Sequence, residues 1–248
     1  MSTDFVIRLI EWVHMLHILG AEKVHFSHND VHPEVDHTIK HLNRLKLVET
    51  WKYKNPSEIE NGTLFQDRLY QVNDLTDCFY RVKNLYDYVA VLDFDEVIMP
   101  MLSSDKTWED LVTRANFIPF RDVYIASNVY YPNKPPSPHK GIPEFMYMLQ
   151  HIQRSQNYSL YGAEKSFLST KRVLSVHNHM PHQCLSNEYH NCSSLRFPIS
   201  VAQNSHYRNK LDLNSGYELT VEDTTIWKYK EQLIKVVSET LKAIGLDP

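Results

Sequence analysis

A chain of 248 residues, 42% of them apolar, can bury one substantial core. Its 26 basic and 30 acidic residues leave a net charge of −4, spread without a basic stripe or an acidic tail, which speaks against nucleic acid as a partner. No window comes near the roughly eighteen uninterrupted apolar residues of a membrane span, and the first apolar stretch carries Arg8, Glu11, His14 and His17, so no span or signal peptide is expected in this chain.

Phe5, Leu9, Trp12, Val13, Leu16 and Leu19 recur at helical spacing, and Gly20 is placed to end the helix. Val24 and Phe26 mark a short strand over 23–28. Pro33 then opens a helix carrying Val35, Ile39, Leu42 and Leu45, and a further strand is expected at 48–53. After a polar loop, Cys78, Phe79, Val82, Leu85 and Tyr86 indicate another helix, which leads to the apolar run Tyr88–Leu92. This alternation over the first hundred residues predicts an α/β fold with a mainly parallel central sheet flanked by helices.

The second half changes character. Thr107-Trp108-Glu109-Asp110 is a helix start with a reciprocal cap, and Val123, Ile125, Ser127 and Val129 alternate as a half-buried strand. Prolines at 132, 135, 136, 138 and 143 make 131–143 a loop over the site. Phe167-Leu168 and Val173–Val176, on either side of Ser169-Thr170-Lys171-Arg172, are expected to pair as a hairpin, and 225–244 to form a closing helix.

Of three cysteines, Cys184 and Cys192 lie eight residues apart in a polar loop and are expected to be linked, whereas Cys78 falls on an apolar helical face as a free thiol. Sequons at Asn61-Gly62-Thr63, Asn157-Tyr158-Ser159 and Asn191-Cys192-Ser193 favour residence in the secretory pathway.

The most telling segment is Asp93-Phe94-Asp95-Glu96, which ends the run Tyr88–Leu92. On an extended strand Asp93 and Asp95 share a face, where two carboxylates repel each other unless a cation lies between them. Such hard oxygen ligands suit Mn2+ or Mg2+. The six glycines form no phosphate-cradling loop, so nucleotide phosphates would need another countercharge. A divalent ion supplies it and stabilises a departing diphosphate, which is what sugar transfer from a nucleotide diphosphate requires.

The acidic element after an apolar strand resembles the DxD motif of GT-A glycosyltransferases, and its surroundings are similar to glycosyltransferase family 92. The resemblance is carried, in order, by Leu9–Trp12 with Leu19–Val24, by Gln71–Asp74 with Cys78 and Arg81, by Val91–Ile98, by Lys165–Phe167 leading to Val176–His179, and by Ala202–Arg208. It spans about residues 5–210 of a single domain over 1–248, with 211–248 as a helical C-terminal extension. It implies a GT-A-like nucleotide-sugar transferase fold, here beginning at the helix that follows the fold's first strand. It also implies Mn2+-dependent, inverting transfer of galactose from UDP-galactose to a glycan or glycoprotein acceptor, and a Golgi lumenal setting as a single-pass type II membrane protein when full length.

Within that frame Asp93, Asp95 and His206 are the metal candidates, with Glu96 as an orienting neighbour. Lys165 and Arg208 are candidates for offsetting donor phosphate charge, and His177, with His179 close by, for binding metal, contacting the diphosphate or lining the cleft. Asn73 and Asp74 either face the nucleotide or begin a helix. An inverting transfer also needs a carboxylate base, for which Glu164 is the first candidate and Glu144 and Asp223 are rivals. Two other readings fit the same motif. One is a catalytically silent glycan-binding or interaction domain of the same fold; the other is a haloacid-dehalogenase-type phosphatase, with Asp93 as nucleophile and Asp95 as acid/base.

Overall fold

The computed structural model of the protein describes residues 2–28, 30–52, 64–115, 121–132, 138–156, 164–185, 192–208 and 219–246. Two of the three sequons, and Asn191 of the third, lie outside them, as do residues 133–137 of the proline-rich loop. Helix α1 (Ser2–Ile18) ends at Gly20, whose φ of +98° is a left-handed conformation that favours glycine. Strand β1 (Val24–His28), helix α2 (Pro33–Arg44) and strand β2 (Val48–Lys52) form a parallel crossover unit, with Val24 opposite Val48. Pro33 sits in the first turn of α2, where its missing N–H costs nothing. Helix α3 (Leu64–Val82) then leads to strand β3 (Tyr88–Ala90).

After β3 come β4 (Glu96–Pro100), α4 (Trp108–Ala115), β5 (Val123–Tyr130), α5 (Tyr147–Gln150), β6 (Gln153–Ser155), β7 (Lys165–Ser169), β8 (Val173–Ser175), β9 (Gln183–Cys184), β10 (Ser194–Arg196), β11 (Ala202–His206) and β12 (Leu219–Glu222). A 3-10 turn, Thr225–Tyr229, runs into α6 (Lys230–Ala243). The predicted cap of α4 is present: the Asp110 carboxylate accepts the Thr107 N–H at 2.9 Å, and the Thr107 hydroxyl accepts the Asp110 N–H at 3.3 Å.

The central sheet departs from the expected mainly parallel one. Its strand order is β3-β7-β5-β11-β4, with β10 beside the first half of β5. The β3–β7, β7–β5 and β11–β4 pairings are antiparallel, and only β5–β11 and β5–β10 are parallel. Helix–strand alternation, the basis for a parallel sheet, breaks between β3 and β4 and again from β6 to β12, where no α-helix intervenes among the described residues. Strand β5 is buried along all eight residues rather than on alternate ones, because both of its faces are covered. The expected hairpin over 167–176 does not form either: β7 joins the central sheet, and β8 turns away to pair with β9.

The path also explains where the acids sit. Strands β3 and β4 lie at opposite ends of the order yet are joined only by residues 91–95. Laid flat, those ends would be roughly 19 Å apart at about 4.8 Å per strand. A link that includes a tight turn reaches less than that. The sheet therefore curls, and the acidic turn bridges its two rims.

On one face α4 packs Trp108 and Leu111 against Ile98, Tyr124, Ala126 and Phe167. On the other, Phe79 of α3 meets Val123, Ile125 and Leu168, while Val97, Met99 and Val129 join the core around α1. Helix α6, expected as an extension, packs Leu233, Val237 and Leu241 into that core, and His14 of α1 meets the Thr240 hydroxyl at 2.7 Å. Cys184 and Cys192 are disulfide-bonded, and Cys78 is free, its thiol pushed up to about 12 chiefly by burial. Among the described residues no helix is long and apolar enough to cross a membrane.

Candidate active site

Asp93-Phe94-Asp95-Glu96 is a β-turn rather than the end of an extended strand, closed by the Glu96 N–H donating to the Asp93 carbonyl at 3.0 Å. The shared face expected of Asp93 and Asp95 is therefore replaced by two different sets of partners. The turn is pinned from several sides: the Trp12 indole donates to the Glu96 carbonyl at 2.9 Å, Tyr207 N–H to the Asp95 carbonyl at 2.8 Å, and Asp93 N–H to Glu96 Oε2 at 3.1 Å. Arg8 of α1 stacks over Phe94 and Tyr147, with its guanidinium 5.4 and 3.9 Å from the ring centroids, and Phe5 packs 5.0 Å from Phe94.

Beneath the turn lies a polar floor made by one face of the sheet. His206 faces Glu96 in the β11–β4 ladder and Asn128 lies on neighbouring β5. His206 Nε2 is 3.4 Å from Asp95 Oδ2, and its Nδ1 is 3.3 Å from both Glu96 Oε1 and the Asn128 amide. Asn204 donates to Glu96 at 3.3 Å and to Asn128 at 2.9 Å. Lys165, fully buried at the start of β7, places its ammonium 3.1 Å from Asp93 and 3.0 Å from Glu96, and donates to the Asn178 carbonyl and side-chain oxygens at 3.0 and 2.7 Å.

The electrostatics follow from these partners. Burial raises the Glu96 carboxyl above its ordinary range, against the opposing charges of Lys165 and His206. Burial is also the largest single influence on Asp95 and acts upward. The hydrogen bond and charge of His206, with Arg8, outweigh it and leave Asp95 below the ordinary range. His177 and His179 are both lowered, first by burial, then by His182 in the case of His177 and by Lys165 in both.

Asp93, Asp95, Lys165 and His206 are thus brought together. Through Asn178 the loop bearing His177 joins them, its ring 6.0 Å from that of His179 and 5.1 Å from that of His182. Other candidates lie elsewhere. Asn73 and Asp74 stand inside α3 rather than at its start; Asn73 is exposed, and Asp74 accepts the Ser27 hydroxyl of β1. Arg208 is exposed just past His206. Glu164 is buried and ion-paired with Arg196, which also donates to Ser127 at 3.1 Å. Ser127 and Asn128 are neighbours on a strand and face opposite ways, so the Glu164 side chain lies on the face away from His206 and Lys165. Asp223 is committed to Arg154 at 3.0 Å, to the Tyr131 hydroxyl at 2.9 Å and to Gln203 at 3.2 Å, and Glu144 is exposed.

Arg8 and Asn128 carry no signal at the level of sequence that separates them from any other polar residue, whereas Asn178 lies within the Val176–His179 segment of the resemblance. Asn204 lies within the late segment of the resemblance and is a floor residue for its position opposite Ile98.

Among the described residues, no group of three or more His, Cys, Asp or Glu side chains is arranged to enclose a metal ion. The donor set fits the other arrangement hard cations adopt, in which one or two protein ligands leave the remaining positions to substrate phosphates and water. Asp95 and His206 are such a pair. Beside the turn opens a cavity of about 520 Å³, walled by Phe5, Leu9, Phe26, Val35 and Leu92 with His25 and His28, and bounded by Asp93 and Phe94.

No curated protein matches the chain. Residues 2–237 match glycosyltransferase family 92, almost the whole sequence and every element that builds the acidic turn and its floor. That extent excludes the phosphatase reading of the same acids and makes the protein a glycosyltransferase: the chain belongs to glycosyltransferase family 92.

Proposed function

We propose that this glycosyltransferase moves galactose from UDP-galactose to a glycan acceptor with inversion, in a GT-A-like arrangement that uses Mn2+ or Mg2+. The observation that carries the reading is the Asp95–His206 pair, 3.4 Å apart where the acidic turn meets the end of β11, with a largely apolar cavity bounded by Asp93 and Phe94 beside it. Asp95 and His206 would hold the cation, with Asp93 beside them partly neutralised by Lys165. Such an ion, when bound, supplies the positive charge that a departing diphosphate needs.

The chain's own residues do the rest. Glu96, 3.3 Å from Nδ1, orients the His206 ring by accepting its Nδ1–H, which leaves Nε2 toward Asp95. The cavity's aromatic and aliphatic walls suit a nucleobase, and its mouth at Asp93 and Phe94 would set the phosphates on the turn. A family 92 enzyme of this kind would act in the Golgi lumen, a setting supported by the Cys184–Cys192 disulfide.

The test is titration calorimetry of UDP with and without Mn2+, followed by transfer assays with UDP-galactose and a panel of glycans. Mn2+-dependent UDP binding that is lost in Asp95→Asn is the expected result. Tight UDP binding indifferent to metal, or no binding by a protein shown to be folded, overturns the reading.

A further inference from the structure

The sequence offers Lys165 as a group that touches donor phosphate, yet its geometry assigns it a different task. An ammonium has three protons and no lone pair. Those of Lys165 meet four protein acceptors, Asp93, Glu96 and the two oxygens of Asn178, at 2.7 to 3.1 Å, and the side chain is wholly buried. No proton remains for a ligand. What the ammonium does instead is join two segments far apart in sequence, the acidic turn and the loop 177–182.

That loop carries three imidazoles, His177, His179 and His182, the first within 6.0 Å of each of the others by ring centroid. It is held to β7 a second time, since the Ser166 hydroxyl donates to the His179 carbonyl at 3.4 Å and the His179 ring meets the Glu164 carbonyl at 3.3 Å. Among the described residues, it is the contact through Asn178 that joins this loop to the acids by hydrogen bonds. We propose that Lys165 and Asn178 are positioning residues that clasp the imidazole loop against the Asp93 turn, so that donor phosphate is met by carboxylates and their cation on one side and by imidazoles on the other. The clasp rests on the nucleotide-sugar reading for its purpose, though its existence can be read without it.

Asn178 is the residue to change, because it is partly exposed and its loss leaves the fold's main core untouched. Asn178→Ala removes the side-chain acceptor, and Asn178→Asp keeps one. In Asn178→Ala the KM for UDP-galactose should rise by roughly tenfold, the scale of one hydrogen bond to a charged group, with a smaller change in kcat and a melting temperature close to that of the parent. Asn178→Asp should return KM to near the parent value. Independently of any activity, the ring resonances of His177 and His179 in NMR spectra should shift in Asn178→Ala and revert in Asn178→Asp. Unshifted ring resonances, or an Asn178→Asp variant as altered as Asn178→Ala, overturn the clasp. A parent protein that transfers no sugar while its ring resonances respond as described overturns the function and leaves the clasp standing.

Discussion

His206 Nε2 stands 3.4 Å from Asp95 Oδ2, a strand end meeting a turn across more than a hundred residues of chain. The ring is fixed from behind by Glu96, so the pair is preformed. Asp93, by contrast, is tied to Lys165 and is the more exposed of the two acids, with 43% of its side chain accessible against 21% for Asp95. The two aspartates of the motif are therefore not equivalent.

This asymmetry predicts unequal losses on substitution. Asp95→Asn and His206→Ala should each weaken Mn2+-dependent UDP binding by at least the roughly 10- to 100-fold that loss of even a supporting partner costs a metal site. Asp93→Asn should cost less, since Lys165 already offsets that carboxylate. Calorimetry on the three variants decides it: an Asp93→Asn loss equal to or larger than that of Asp95→Asn would refute the ranking.

Glu164 should behave as a structural acid. It is ion-paired with Arg196 on the face of β7 away from Lys165. Glu164→Gln should lower stability by about 1–3 kcal/mol, the cost of leaving a buried polar partner unmet. It should leave the pH dependence of kcat unchanged, and chemical denaturation beside a pH–rate profile separates the two effects. A base would show the reverse, full stability with a lost ionisation in the profile.

Much of the helix framework was legible because local rules decide it. Gly20 ends α1 and Pro33 begins α2 at the positions their backbone preferences require, and Thr107 with Asp110 caps α4. The acidic motif was legible too, but its shape was not: a period-2 reading of Asp93 and Asp95 assumes an extended chain, whereas the chain turns there between strands at opposite ends of the sheet order. Strand direction is likewise set by which partners a strand finds far along the chain. Nothing within 165–169 says that β7 lies antiparallel to both β3 and β5, and that placement is what buries Lys165 beneath Asp93 and turns Glu164 away.

The Cys184–Cys192 bond closes a loop of eight residues next to the segment that carries His177 and His182. A loop that short limits the unfolded chain modestly, by about 2.5 kcal/mol on the chain-entropy scale. A Cys184→Ser, Cys192→Ser double variant should lose about that much stability in urea denaturation, and reductant should lower the parent to the same level. Reductant that leaves the parent unchanged would show that the bond contributes nothing to the fold. Cys78→Ala, on α3 and free, should leave the response to reductant as it is.

Glu11 makes the stability of the fold depend on pH in a direction opposite to that of most carboxylates. It is wholly buried, and its carboxylate accepts the N–H groups of Tyr147 at 2.7 Å and Met148 at 3.0 Å where α5 begins. Burial, the largest influence, pushes its pKa from 4.5 up to about 7, against those N–H groups and Arg8. Between these values the folded protein keeps a proton that the unfolded chain has released. Stability contributed through this group is therefore full below about 4.5, falls as pH rises through about 7 and is level above, a change on the order of a few kcal/mol. His14 acts in the opposite sense at lower pH. Its pKa is lowered from 6.5 to about 4, chiefly by burial, so stability through it falls as pH drops below 6.5. Glu11→Gln keeps a neutral acceptor for the two N–H groups and leaves His14 in place, so the difference between variant and parent isolates the carboxyl. Urea denaturation in steps from pH 5 to 8 should show that difference grow in favour of Glu11→Gln up to about pH 7 and then hold. A constant difference across the range would mean that Glu11 stays ionised, and that the N–H groups of α5 outweigh its burial.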